Sequence, residues 1–192
     1  MKPEKFLRLY EKLEKLANKL PKAIRGPVVD HANAVRDLFT EGKLEAARQS
    51  TDPAVKLATA RSIVETSAAL CTTVGFEPIP FADFPFLTTI QVTMVASIAY
   101  VGGRNVGAKT AAEFIAALGA NLGVGLVLRE GSRAVLKLLP GWGNAISGAI
   151  AGAGTYALGK AAIAYFIEGV SIQDARNLFR RKKSANEIVA RS

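Results

Sequence analysis

The segment Gly102-Gly103-Arg104-Asn105-Val106-Gly107-Ala108-Lys109-Thr110 comes within one residue of a phosphate-binding loop. Such a loop needs four residues between its glycines and a lysine directly after the second. Backbone N–H groups then cradle the phosphates while Lys and Ser/Thr reach phosphate and magnesium. Here Ala108 displaces Lys109 and Thr110 by one position, and no alternation of strands and helices follows. The segment predicts a connection between helices instead, with Thr110 as a cap and Glu113 three residues on. A single histidine, His31, and a single cysteine, Cys71, exclude a His-rich metal site and an internal disulfide. His31 lies beside Asp30 on an amphipathic segment with no nucleophile in view, and Cys71 lies in an apolar run, as a small buried hydrophobe does. The expectation is a protein that is not an enzyme, with no catalytic, cofactor-binding or metal-binding residue.

Charge offers a stronger signal. Arg180, Arg181, Lys182 and Lys183 follow Ile172, Ala175, Leu178 and Phe179, which are spaced as one apolar helix face. An anionic lipid surface attracts such cations with about 1 kcal/mol each. Nucleic acid attracts the same residues, but no aromatic interleaving or recognised fold accompanies them, so nucleic acid is not the expected partner. Ser171 with Asp174 three residues on marks the start of this tail helix.

The elements that position these residues follow from 192 residues that are 49% apolar, with mean hydropathy +0.20 and net charge +9. That composition excludes a disordered chain. Residues 1–66 carry a net +4, residues 67–170 a net +1 and residues 171–192 a net +4. Three regions follow: an amphipathic helical amino-terminal region (1–66), a Gly-rich apolar helical core (67–170) and a basic amphipathic tail (171–192). In the first, Phe6 to Leu20 carries an apolar stripe at helical spacing. A second helix is expected from Pro27 to Gly42, and a third starts at the Asp52-Pro53 cap. The fold class is all-α.

In the core, Phe84 to Gly103 is 20 residues without a charge, long enough as a helix to cross the roughly 30 Å of bilayer hydrocarbon. Leu138 to Gly159 is 22 more, interrupted by Pro140 and six glycines. Gly119 and Gly123 are four apart, as are Gly148 and Gly152, so each pair lies on one helix face where another backbone can approach. Both basic flanks predict cytoplasmic termini and an even number of spans, most simply Phe84–Gly103 and Asn144–Ile167, with Lys160 snorkelling or at a helix interface. The connecting charges Arg129, Glu130, Arg133 and Lys137 favour a shallow or re-entrant insertion. Met1-Lys2-Pro3-Glu4 does not begin a secretory signal peptide. Trp142 and Tyr165 flank the second apolar helix, and Gln91 is the clearly polar side chain midway along the first.

The order Pro78-Ile79-Pro80-Phe81-Ala82-Asp83, Leu87-Thr88-Thr89-Ile90-Gln91-Val92-Thr93-Met94, Leu138-Leu139-Pro140-Gly141-Trp142-Gly143, Thr155-Tyr156-Ala157-Leu158-Gly159 and Tyr165-Phe166 resembles the domain of unknown function family 697, and is similar in pattern to EcsC-like proteins. The resemblance implies a bacterial helical, membrane-associated module whose usual companion is an Era-like GTPase domain. This chain carries no such domain, so a GTPase in trans is the implied partner. Asp83 and Gln91 match patterned polar positions without assigned roles. The expected function is a membrane-associated scaffold that packs against itself, as a homo-oligomer, or against a partner through Gly119, Gly123, Gly148 and Gly152. The alternative is a soluble cytoplasmic bundle holding a lipid or other hydrophobic ligand, with Asp83 and Gln91 at its mouth.

Overall fold

The computed structural model describes residues 25–30, 41–76, 84–119 and 142–189, with residues 11, 15, 18, 22, 33 and 37; at 76, 84–85, 142–147 and 182–189 it describes the backbone alone. Among the described residues the protein is all-α, with no strand. The helices are α1 (Lys43–Gln49), α2 (Pro53–Phe76), α3 (Phe84–Val101), α4 (Ala108–Ala117), α5 (Trp142–Phe166) and α6 (Ile172–Val189).

Local chemistry explains most of the starts and stops. Asp52 Oδ1 accepts the Ala54 N–H at 2.8 Å, holding the first turn of α2 behind Pro53. Ser171 Oγ accepts the Asp174 N–H at 3.1 Å and donates to Asp174 Oδ2 at 2.7 Å, so the tail helix begins as its sequence predicts. Two starts differ from expectation. Gly42, at φ +71°, is the N-cap of α1, a short helix that sequence periodicity did not separate. The start of α4 is capped by Gly107 in extended conformation, and Thr110 lies inside the helix. Lys109 and Glu113 pair loosely along its exposed side at 4.0 Å.

The division drawn at Thr66 falls inside α2, which runs unbroken to Phe76. Its Ala60, Ile63, Val64, Ser67, Leu70, Cys71 and Val74 recur at three- and four-residue spacing and are all buried. They face α5, which forms with α2 the most extensive helix pair in the bundle. Gly152 lies opposite Ala68 and Thr72 while Gly159 lies opposite Val64, so α2 and α5 run antiparallel.

Helix α3 is the central rod. Phe86, Leu87, Ile90, Val92, Met94, Val95, Ala96, Ile98, Ala99 and Val101 are all buried, leaving no solvent face, and the helix touches α1, α2, α4 and α5. A helix apolar all round is either a protein core or a membrane span; this one is wrapped by its own chain. Among the described residues no helix is long and apolar enough to cross a membrane. The stretches expected as spans thus appear as α3 and α5, packed on each other within the bundle.

At one end of the bundle, Arg48 of α1 ties off α3. Its guanidinium donates to Tyr100 O at 3.4 Å, Gly103 O at 3.2 Å and Asn105 Oδ1 at 3.1 Å, and lies 4.6 Å from the Tyr100 ring centroid. Beside it the Tyr100 hydroxyl donates to Glu45 Oε2. The near-phosphate-loop glycines are therefore turn and packing residues. Gly103 adopts φ +85°, and a Cβ on Gly102 would overlap the Phe166 carbonyl oxygen.

Candidate functional site

Glycine spacing pointed to close helix approach, and the structure shows what approaches. A Cβ on Gly152 would overlap Thr72 Oγ1 and lie 3.1 Å from Ala68 O; one on Gly159 would overlap the Val64 methyls. Gly148 is buried on the same helix. The neighbour filling the space at Gly152 is this chain's own α2. Gly119 is not on a helix face: it follows α4 at φ +77°, a left-handed residue ending the helix, with Arg176 and Arg180 of α6 alongside. Gly123 and Asp83 lie outside the described residues, as does His31.

Gln91 reaches across from α3 and donates Nε2–H to Thr155 Oγ1 of α5 at 3.0 Å; Thr155 in turn donates to Ala151 O at 2.9 Å. Such a bond joins two helices where an unpartnered amide would be costly. Thr155 also hydrogen-bonds Cys71 of α2, so three helices share one small polar knot. Burial pushes the Cys71 thiol up to about 12, outweighing the opposing hydrogen bond from Thr155. A thiol kept protonated this way is no nucleophile. Sequence spacing could not find this knot, because Cys71, Gln91 and Thr155 meet only through the packing of three helices.

On the tail helix, Ala175 and Phe179 are buried against the bundle. Arg180 and Arg181 are exposed, and the helix continues through Lys182 and Lys183. The basic run is thus presented by a helix that is anchored through its first half. Nearby, Arg104 lies 5.1 Å from the Tyr165 ring centroid and 5.8 Å from that of Phe166, on an aromatic group completed by Phe114. Tyr165 therefore belongs to a ring cluster at the core edge.

Sequence reasoning had Lys160 either snorkelling or buried at a helix interface, and missed its neighbours. On the outer side of the α2–α5 pair, Arg61, Val64, Glu65, Tyr156 and Lys160 line a recess of about 240 Å³. The absent side chain at Gly159 lets Val64 settle against α5 and form the recess floor. Arg61 and Glu65 are one turn apart on α2, as are Tyr156 and Lys160 on α5, so each wall supplies a cation. Lys160 is half-buried and is the one charged residue of α5.

Residues 40–186 match the model of a family described as a domain of unknown function, DUF697, a stretch that holds every helix named above except the last three residues of α6. Neither the curated proteins nor the solved structures contain a match. The matched stretch carries the α2–α5 pair, the central α3 and the basic run of α6, and by it this chain belongs to the DUF697 family.

Proposed function

We propose that this chain is a non-catalytic helical module that docks on an anionic membrane surface at the cytoplasmic face and serves there as a scaffold for a partner. The observation that carries the reading is the anchored tail helix. Ala175 and Phe179 of its apolar side pack on the bundle, while Arg180 and Arg181 stay in solvent ahead of Lys182 and Lys183. Cations held on a docked helix keep their position as a surface approaches, and their attraction falls off within a Debye length, about 8 Å at physiological salt. The family resemblance supplies the class of partner, a GTPase acting in trans.

The test is co-sedimentation with vesicles of phosphatidylglycerol in phosphatidylcholine. Replacing Arg180, Arg181, Lys182 and Lys183 by alanine is expected to abolish most binding, and raising the salt is expected to do the same to the unaltered protein. Equal sedimentation of the two proteins, or binding indifferent to salt, overturns the reading. Co-purification of a GTPase with the unaltered chain tests the scaffold half separately.

A further inference from the structure

The recess on the α2–α5 pair has a charge pattern that its own residues leave unresolved. Among the described residues, Arg61, Glu65 and Lys160 make no ion pair or hydrogen bond with one another or with any other group. Lys160 is nonetheless half-buried on a helix with no other charge. Partly removing an ammonium from water without a counter-ion is unfavourable, and a second cation, Arg61, lines the same 240 Å³ space from the facing helix. Arg61 is itself exposed, and an anion between the two walls pairs with both cations while relieving the partly buried Lys160. Tyr156, 36% exposed beside Lys160, adds a phenol O–H that can donate to the same ligand.

Glu65 sets how negative that anion is. With two cations and one carboxylate, the recess carries a net charge of one positive unit, which a singly charged group neutralises, and Glu65 weakens the extra attraction that a second negative charge would gain. The flat fork of Arg61 suits a pair of oxygens on phosphorus, and the Lys160 ammonium acts as a point charge on the other side. Size narrows the choice again, since the recess is below the roughly 300–1,000 Å³ of pockets that enclose whole small molecules. Its floor, Val64, is apolar. We propose that Arg61, Tyr156 and Lys160 bind a phosphodiester group of the kind a phospholipid headgroup carries, with Glu65 weakening the hold on doubly charged phosphomonoesters. The phospholipid source rests on the membrane-surface reading above; the chemistry of the recess does not.

The experiment titrates the folded, full chain with soluble glycerophosphoglycerol by calorimetry, and in parallel measures its sedimentation with phosphatidylglycerol vesicles. Saturable binding of the soluble headgroup is expected, with none for glycerol. Lys160→Met and Arg61→Gln should each weaken it by about tenfold or more, the loss of one charge-assisted hydrogen bond. Lys160→Arg should retain most of it, which separates charge from packing. Glu65→Gln should raise affinity for inorganic phosphate at pH 8 relative to the diester. No saturable headgroup binding, or unchanged binding in both Lys160→Met and Arg61→Gln, overturns the proposal. If vesicles bind but the headgroup does not, the membrane reading stands and the recess assignment falls. If the headgroup binds but vesicles do not, the phosphodiester site stands and its ligand is a soluble one. Displacement of the headgroup by a single-stranded oligonucleotide at equal phosphate concentration would overturn the lipid assignment.

Discussion

Gly152 of α5 and Thr72 of α2 approach so closely that the smallest side chain added to the glycine would overlap the threonine hydroxyl. That hydroxyl is already committed, donating to Ala68 O at 3.0 Å, and Ala68 O is itself the next atom a Cβ would meet, at 3.1 Å. The two helices therefore pack through a side chain seated on a bare backbone, and the main chain behind it cannot withdraw without moving α2.

This relationship fixes the sign of a substitution that helix propensity alone gets wrong. In a helix interior, Gly→Ala is stabilising by about 1 kcal/mol, yet Gly152→Ala is expected to destabilise, because overpacking of this kind costs about 1–3 kcal/mol. Urea unfolding checks it, with Gly26→Ala as the contrast: Gly26 is helical with nothing among the described residues within 4 Å of its added Cβ, so that change is expected to stabilise. In a double-mutant cycle, Thr72→Ala should recover part of the loss at Gly152; strict additivity would count against the contact.

Gly102 and Gly159 should respond differently from each other. At Gly159 the obstacle is the Val64 side chain, so Gly159→Ala is expected to be largely rescued by Val64→Ala. At Gly102 the obstacle is the backbone carbonyl of Phe166, which no side-chain change removes. Gly102→Ala should thus be the more damaging of the two, by at least about 1 kcal/mol, and should loosen the Arg104–Tyr165 packing next to it. Thermal melts of the four variants settle the order.

Alkaline pH should weaken the fold through two groups acting in the same direction. Burial pushes the Cys71 thiol up to about 12 from an ordinary 9.0, and burial followed by the Glu45 hydrogen bond raises Tyr100 above 10.0. Both groups are held protonated in the folded chain. Their stabilisation is complete below the unfolded values and drains away as pH rises through the folded ones. The expected outcome is a falling unfolding midpoint from about pH 9 upward, with a shallower fall in Cys71→Ala and in Tyr100→Phe. Identical slopes in all three proteins would remove this account. Cys71 should also resist thiol reagents at pH 8 until denaturant is added.

Glu45 works at the opposite end of the scale. The Tyr100 hydroxyl and then the Gln49 amide hydrogen-bond its carboxylate and hold its pKa below the ordinary 4.5. Its contribution is therefore present above the unfolded pKa and lost as pH falls through the folded one. Tyr100→Phe should move the Glu45 titration, followed by carboxyl NMR shifts, up toward the ordinary value. An unmoved titration would show that Tyr100 is not the cause.

Residue order alone carried the class of element and many of the end signals. Three- and four-residue apolar spacing made the chain all-α, and Asp52-Pro53 and Ser171-Asp174 act as helix starts because a cap is chemistry between residues two or three apart. The patterned motifs from Pro78 to Phe166 were enough for the family. Tertiary structure alone decided where apolar surface goes. Phe84 to Val101 is apolar all round, a pattern that a bilayer and a protein interior satisfy equally well; only the packing shows that α1, α2, α4 and α5 gather around that rod. Glycine spacing announced a close approach at Gly152 but could not say that Thr72 would fill it. The Cys71–Gln91–Thr155 knot and the Arg61–Lys160 recess join residues far apart in the chain, and their geometry exists only once helices pack.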